Sequence, residues 1–121
     1  MLSLVQLPAF AATWKRLGLT DADLRALEGM IVKSPASSSV VAGTGGLRKI
    51  RFAAKGSGVG KSGGVRVCYA YFSRYGLVYL CAVYPKSEKA NLSAAEKVAY
   101  KRIIEGFDRY LREWFERGWT P

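Results

Sequence analysis

An α+β domain is what the order of elements predicts, and three observations carry that reading. Two helical stripes come first, three β-prone runs follow in the middle, and one long amphipathic helix closes the chain. The 121 residues are 50% hydrophobic and 23% charged, enough apolar surface for one core and too little charge for a disordered chain. A single domain over residues 1–121 is therefore expected.

Leu2 to Leu7 reads as a short apolar strand that stops at Pro8. Phe10, Trp14 and Leu17 recur at helical spacing up to Gly18, as in a short helix ended by glycine. Thr20-Asp21-Ala22-Asp23 has the form of a capping box, and Leu24, Leu27 and Ile31 give the helix after it an apolar stripe that ends before Ser34-Pro35. Both helices read as scaffold. Small residues make Ser37 to Gly46 a loop.

In Leu47 to Ala54, Ile50 and Phe52 point one way and Lys49 and Arg51 the other, the alternation of a strand with one buried and one wetted face. Lys55 to Gly64 is a Gly/Ser-rich connection. Val65 to Phe72 and Leu77 to Tyr84 are β-prone runs joined by a turn around Arg74 to Gly76, so the three strands form an antiparallel meander. Pairing Ala53 with Arg66 would set Arg66, Arg51 and Lys49 on one face. Ser93 and Glu96 then cap a long helix whose stripe is Val98, Ile103, Ile104, Phe107, Leu111, Trp114 and Phe115. Its mixed charges read as a solvated face. The aromatic end, with Trp114, Phe115 and Trp119, reads as added core or as a partner surface.

Charge is what this order of elements does not explain. The segment from Gly43 to Lys89 holds nine of the nineteen basic residues, Arg48, Lys49, Arg51, Lys55, Lys61, Arg66, Arg74, Lys86 and Lys89, against the single acid Glu88, a net of +8. Each flank contributes only +1 to the total of +10. Like charges repel within a Debye length of about 8 Å, so the crowding favours an anionic partner rather than the fold.

Several other chemistries are disfavoured. Histidine is absent from the sequence, which removes the usual general base and the commonest metal ligand. Cys68 and Cys81 lie in apolar β-prone runs without C-x-x-C spacing, as two buried, reduced thiols would. No apolar run approaches the roughly 20 residues of a spanning helix, and the start MLSLVQLPAF has no signal-peptide pattern, so a cytoplasmic protein is expected. Gly56 to Ser62 imitates a phosphate-binding loop, but Lys55 stands where its first glycine belongs and Gly63-Gly64 leads into a strand instead of a helix.

A basic sheet face with Tyr69, Tyr71 and Tyr84 interleaved suits single-stranded RNA, whose phosphates meet cations and whose bases stack on rings; packing is the other use for those tyrosines. Without metal or histidine, RNA is cut by attack of a ribose 2′-hydroxyl on the adjacent phosphate. That reaction needs a proton acceptor, cations for the charge that builds on the phosphate, and a donor for the departing 5′ oxygen. Arginine suits the second role, and a lysine crowded by cations suits proton transfer.

The blocks Gly43-Thr44-Gly45-Gly46-Leu47-Arg48-Lys49-Ile50-Arg51-Phe52-Ala53, Gly60-Lys61-Ser62-Gly63-Gly64-Val65-Arg66-Val67 and Val83-Tyr84-Pro85-Lys86-Ser87-Glu88-Lys89, with Leu92-Ser93 and Glu96-Lys97 after them, resemble the RelE/HigB branch of the RelE/ParE toxin superfamily. The likeness spans roughly residues 2 to 105, and residues 107–121 extend beyond it as a C-terminal helical extension. It implies two N-terminal helices and a C-terminal helix packed on a small twisted antiparallel sheet. It also implies an mRNA endonuclease that enters the ribosomal A site, a cognate antitoxin of the helix-turn-helix type, and neither metal nor small-molecule cofactor.

Residue by residue, Arg66 matches the strand arginine that contacts the scissile phosphate in that family. Lys49 and Arg51 fall where relatives place basic residues on the preceding strand, Lys86 and Lys89 match those after the last strand, and Arg48 and Lys55 beside them are further RNA-binding candidates. Ser87 and Ser93 stand where some relatives have an arginine and a tyrosine, which leaves Tyr84, Lys61 and Lys86 as candidates for acid and base. Two alternatives stay open on the same fold: a non-catalytic ParE-like gyrase poison and a plain RNA-binding domain.

Overall fold

A computed structural model of the chain describes residues 2–54 and 64–118. In order the elements are β1 (Ser3–Gln6), α1 (Pro8–Arg16), α2 (Asp21–Lys33), β2 (Ser39–Val40), β3 (Leu47–Phe52), β4 (Val65–Phe72), β5 (Leu77–Pro85) and α3 (Ala94–Glu116). The strands form one sheet in the order β1-β5-β4-β3-β2. The expected meander is present, since β3 pairs with β4 and β4 with β5 antiparallel. β1 joins β5 in parallel, so the sheet is mixed. That edge was illegible because a parallel partner lies a whole crossover away in sequence.

Pro8 ends the first strand by opening α1, where its missing N–H costs nothing and its φ suits a helix. The capping box predicted at Thr20 forms, with the Asp23 amide donating to Thr20 Oγ1 (3.1 Å) and the Thr20 amide to Asp23 Oδ2 (2.9 Å). The Trp14 indole donates to the Thr20 carbonyl (3.1 Å) and ties α1 to that cap. The Ser37 to Gly46 loop contains the two-residue strand β2, whose Ser39 and Val40 pair with Lys49 and Arg48.

The sheet separates two apolar layers. Under α1 and α2 lie Phe10, Trp14, Leu27, Ile31, Phe52, Val65, Val67, Tyr69, Val78 and Leu80. Under α3 lie Leu47, Cys68, Ala70, Phe72, Leu77, Cys81, Ile104 and Leu111. Each fully buried large side chain is worth about 1.5–3 kcal/mol of transfer free energy, so both layers count. The bulge opposite Cys68/Tyr69 pairs Cys68 with Ala82 but Tyr69 with Leu80, which lets Leu80 and Val83 share a face although three residues apart.

Two expectations for α3 need correction. Val98 and Ile103 are exposed, and the buried stripe runs through Tyr100, Ile104, Phe107 and Leu111 instead. That series steps by four, three and four residues, the spacing of one helical face, and Val98 and Ile103 sit off it. The aromatic end is only partly core: Phe115 is exposed and meets Tyr75 edge to face, at 5.6 Å between centroids. Trp119 lies outside the described residues.

Candidate functional site

The register of the meander builds the site. Arg51 on β3 pairs with Arg66 on β4, and Arg66 pairs with Tyr84 on β5, so three side chains form one row across three strands. The pairing differs by two residues from the expected Ala53 opposite Arg66. An even slip keeps every side chain on its face, so Lys49, Arg51 and Arg66 still share one. Gly64 stands at the entry to β4 with φ of +70°, so close to β3 that a side chain there would drive its Cβ into the Phe52 carbonyl. Val65 then pairs with Phe52, and Arg66 with Arg51.

Arg66, at 8% exposure, is the only buried charged residue among the described residues. A buried charge must recover its desolvation cost, and this one has a second cation directly across from it, an arrangement that destabilises a sheet pair. Lys49 stands two residues before Arg51 on the same face, with its Nζ donating to Asn91 Oδ1 (3.3 Å). Lys89 closes the other end. Its Nζ lies 5.0 Å from the centre of the Tyr84 ring and donates to Glu96 Oε2 (2.5 Å).

Tyr84 and Cys68 form the floor of this face. The Tyr84 hydroxyl is enclosed without a hydrogen-bond partner of good geometry. Burial, and then the adjacent Cys68 thiol, push its pKa up to about 12 despite the opposing pull of Arg66. Burial likewise raises Cys68 to about 11, against the charges of Lys49 and Lys89. At neutral pH Tyr84 therefore keeps its proton, and an enclosed hydroxyl does not reach a substrate. Its ring lies under the Lys89 ammonium at the end of the row.

Other candidates separate from the row. Arg48 lies on the opposite face beside Tyr69, and its Nη1 donates to the carbonyls of Ala36 (2.9 Å) and Ser38 (2.6 Å). It clasps the loop before β3 and does not join the basic face. The Tyr69 hydroxyl hydrogen-bonds Ser38 Oγ (2.6 Å) and donates to the Pro35 carbonyl (2.8 Å), and Tyr71 packs in the same layer, so neither ring offers a stacking platform on the basic face. Lys86 is exposed just after β5. Lys55 and Lys61, with the phosphate-loop look-alike 56–62, lie outside the described residues.

Asn91 and Glu96 are the site residues that sequence reasoning missed. Glu96 was legible as a capping residue, and that role hid its second oxygen. The Gly43–Gly46 block proves structural: Thr44 is fully buried, donates to the Val41 carbonyl (2.6 Å) and accepts from the Leu47 amide (3.0 Å), starting β3.

Two clefts lie apart from the row. One of about 650 Å³ is lined by Arg74, Arg109 and Arg112 with Glu105 and Asp108, and an apolar one of about 800 Å³ by Leu7, Ile103, Phe107 and Tyr110. Among the described residues no cluster of acidic or cysteine side chains is arranged to hold a metal ion, and no helix is long and apolar enough to cross a membrane.

No family model matches the sequence. Among solved structures, an arginine-to-alanine double mutant of the E. coli toxin RelE in the free state is similar to this chain. It aligns over 84% of this chain and 97% of its own, with a TM-score of 0.55 and 17% identity. With two N-terminal helices, a five-stranded sheet and a long C-terminal helix that align over nearly the whole of that toxin, this chain has the RelE-like fold.

Proposed function

We propose that this chain is the toxin of a type II toxin-antitoxin pair and an endoribonuclease that cuts mRNA in the ribosomal A site, stopping translation in the cytoplasm. The observation that carries the reading is the row Arg51, Arg66, Tyr84 with Lys49 and Lys89 at its ends. Three cations on one sheet face, Lys49, Arg51 and Arg66, repel one another with Lys89 close by, and a phosphodiester backbone turns that repulsion into binding.

In the reaction a base removes the ribose 2′-hydroxyl proton, the 2′ oxygen bonds to phosphorus, and the bond from phosphorus to the 5′ oxygen breaks. A proton then reaches the 5′ oxygen, leaving a 2′,3′-cyclic phosphate and a 5′-hydroxyl. Arg66 holds the non-bridging oxygens, where its planar fork meets two at once. Arg51 and Lys49 hold the flanking backbone. Tyr84 is assigned to support rather than proton transfer, because its hydroxyl is enclosed and out of a substrate's reach. Lys61 and Lys86 remain the groups for proton transfer. An acidic or amphipathic segment of a cognate antitoxin would complement the same face.

Programmed ribosomes incubated with the protein should yield mRNA cut within the A-site codon and ending in a 2′,3′-cyclic phosphate. Arg66→Ala should slow cutting by at least about a hundredfold, the usual loss of a donor to developing charge. Intact mRNA with the native protein would overturn the reading, and DNA damage without translation arrest in growing cells would favour a gyrase poison.

A further inference from the structure

Lys89 sits in an eight-residue connection, where a lysine ordinarily ranges widely, yet two contacts fix its ammonium. It lies over the Tyr84 ring at 5.0 Å, and it reaches Glu96 at 2.5 Å. Glu96 in turn is held by the start of α3. Its Oε1 accepts the Ser93 amide (2.9 Å) and its own amide donates to Ser93 Oγ (3.1 Å), so only Oε2 is left to point outward, toward Lys89. The Lys89–Glu96 pair is about one-third exposed on both sides, and pairs in water contribute little stability. Its place is more telling than its strength: Lys89 is beside Tyr84, the last member of the Arg51, Arg66, Tyr84 row.

We infer that Glu96 is a positioning residue for the proposed cleavage, holding the Lys89 ammonium over Tyr84 so that the cation stands at the end of the arginine row where phosphate charge develops. The inference rests on the endoribonuclease reading and adds to it a member that makes no contact with RNA. An ammonium held in place needs no reorganisation during the reaction, whereas one on a loose tether must be gathered first. Asn91, on the other side of the Ser93 cap, accepts from Lys49, so the segment that leads into α3 meets both lysines beside the row.

Glu96→Gln separates positioning from capping. Glutamine keeps the oxygen that accepts the Ser93 amide, and its NH2 group cannot accept from an ammonium. Single-turnover cutting of A-site mRNA on programmed ribosomes should fall about tenfold to a hundredfold in Glu96→Gln. Lys89→Met should fall at least as far, and the double variant should be no slower than Lys89→Met alone. Melting temperatures should stay close to that of the native chain.

A second measurement does not depend on activity. The side-chain protons of Lys89 should show a ring-current shift from Tyr84 by NMR, lost in Glu96→Gln. No such shift in the native chain, or the same shift in Glu96→Gln, would overturn the inference. So would native-rate cutting by Glu96→Gln beside an impaired Lys89→Met, or losses that multiply in the double variant. If Arg66→Ala cuts at the native rate, the endoribonuclease reading fails instead, and the NMR comparison still decides whether Glu96 places Lys89.

Discussion

The two faces of the sheet come from the same strands and meet different fates. Beneath α1 and α2 the face is apolar from Tyr69 through Val67 and Val65 on β4 and across to Phe52, and its one cation on β3, Arg48, is turned to the carbonyls of Ala36 and Ser38. Beneath α3 it is apolar only at one end, with Leu47, Ala70 and Phe72. At the other it passes through Cys68 to Lys49, Arg66 and Arg51. The segment that leads into α3, Asn91 to Glu96, lies beside the lysines, and the buried helix residues Ile104 and Leu111 come later, over the apolar end. A strand sends alternate residues to opposite faces, so β3 and β4 serve core and site at once. The fully packed face supplies the stability that lets the other carry unfavourable charge.

The largest test of that division is Leu27→Ala. Leu27 is fully buried between α2 and the sheet, and truncating such a leucine costs about 2–5 kcal/mol. Urea unfolding should show that loss. Cleavage per folded molecule should stay at the native rate, because no atom of the basic face moves. A cleavage defect beyond the unfolded fraction would mean that the two faces are coupled.

Most of the fold was legible because apolar periodicity is a local property. The stripes of α1 and α2, the alternation in β3 and both capping boxes follow from neighbouring residues. What failed depended on distant ones. The pairing of Arg51 with Arg66 goes with a close approach of the Gly64 backbone to Phe52, which no pattern in either strand records. Arg48 was grouped with its basic neighbours although alternation already sent it to the opposite face, and its partners, the carbonyls of Ala36 and Ser38, have no sequence signature. Tyr69 and Tyr71 face the other way for the same reason of parity, so of the three tyrosines expected on the basic face only Tyr84 is there.

Arg51→Ala should separate the faces by sign. Arg51 is exposed and stands directly opposite Arg66, so removing it relieves like-charge repulsion and should raise stability by about 0.5 kcal/mol. Cleavage should fall about tenfold, as expected when a charged contact worth about 1.4 kcal/mol is lost. A variant both less stable and fully active would refute the claim that the fold tolerates Arg51 for the sake of an anion. Tyr84→Phe carries a smaller effect. It deletes an enclosed hydroxyl that lacks a good partner, so stability should rise by about 1 kcal/mol with cutting within about threefold of native, whereas loss of cutting would return Tyr84 to proton transfer.

The smallest expected effect is a pH dependence at the edge of the basic face. The hydrogen bond from Lys89, then that from the Ser93 amide, holds the Glu96 carboxyl below its ordinary value of 4.5. A carboxyl that takes up its proton at lower pH when folded than when unfolded stabilises the fold fully above the unfolded value, and that contribution fades as pH falls through the folded one. Melting temperatures of the native chain and Glu96→Gln should therefore differ by a constant amount above about pH 5.5, and the gap should close as pH falls below 4.5. Only the difference between the two chains isolates Glu96, since every other acid titrates in both. A gap that stays constant to pH 3 would mean that Lys89 and Glu96 are not paired in solution, and one that widens would reverse the sign of the interaction. A gap that closes in 10 mM salt and is much smaller in 500 mM salt would place the pair in water, where screening acts on it, in keeping with a contact whose value lies in where it puts a cation rather than in how firmly it holds the fold.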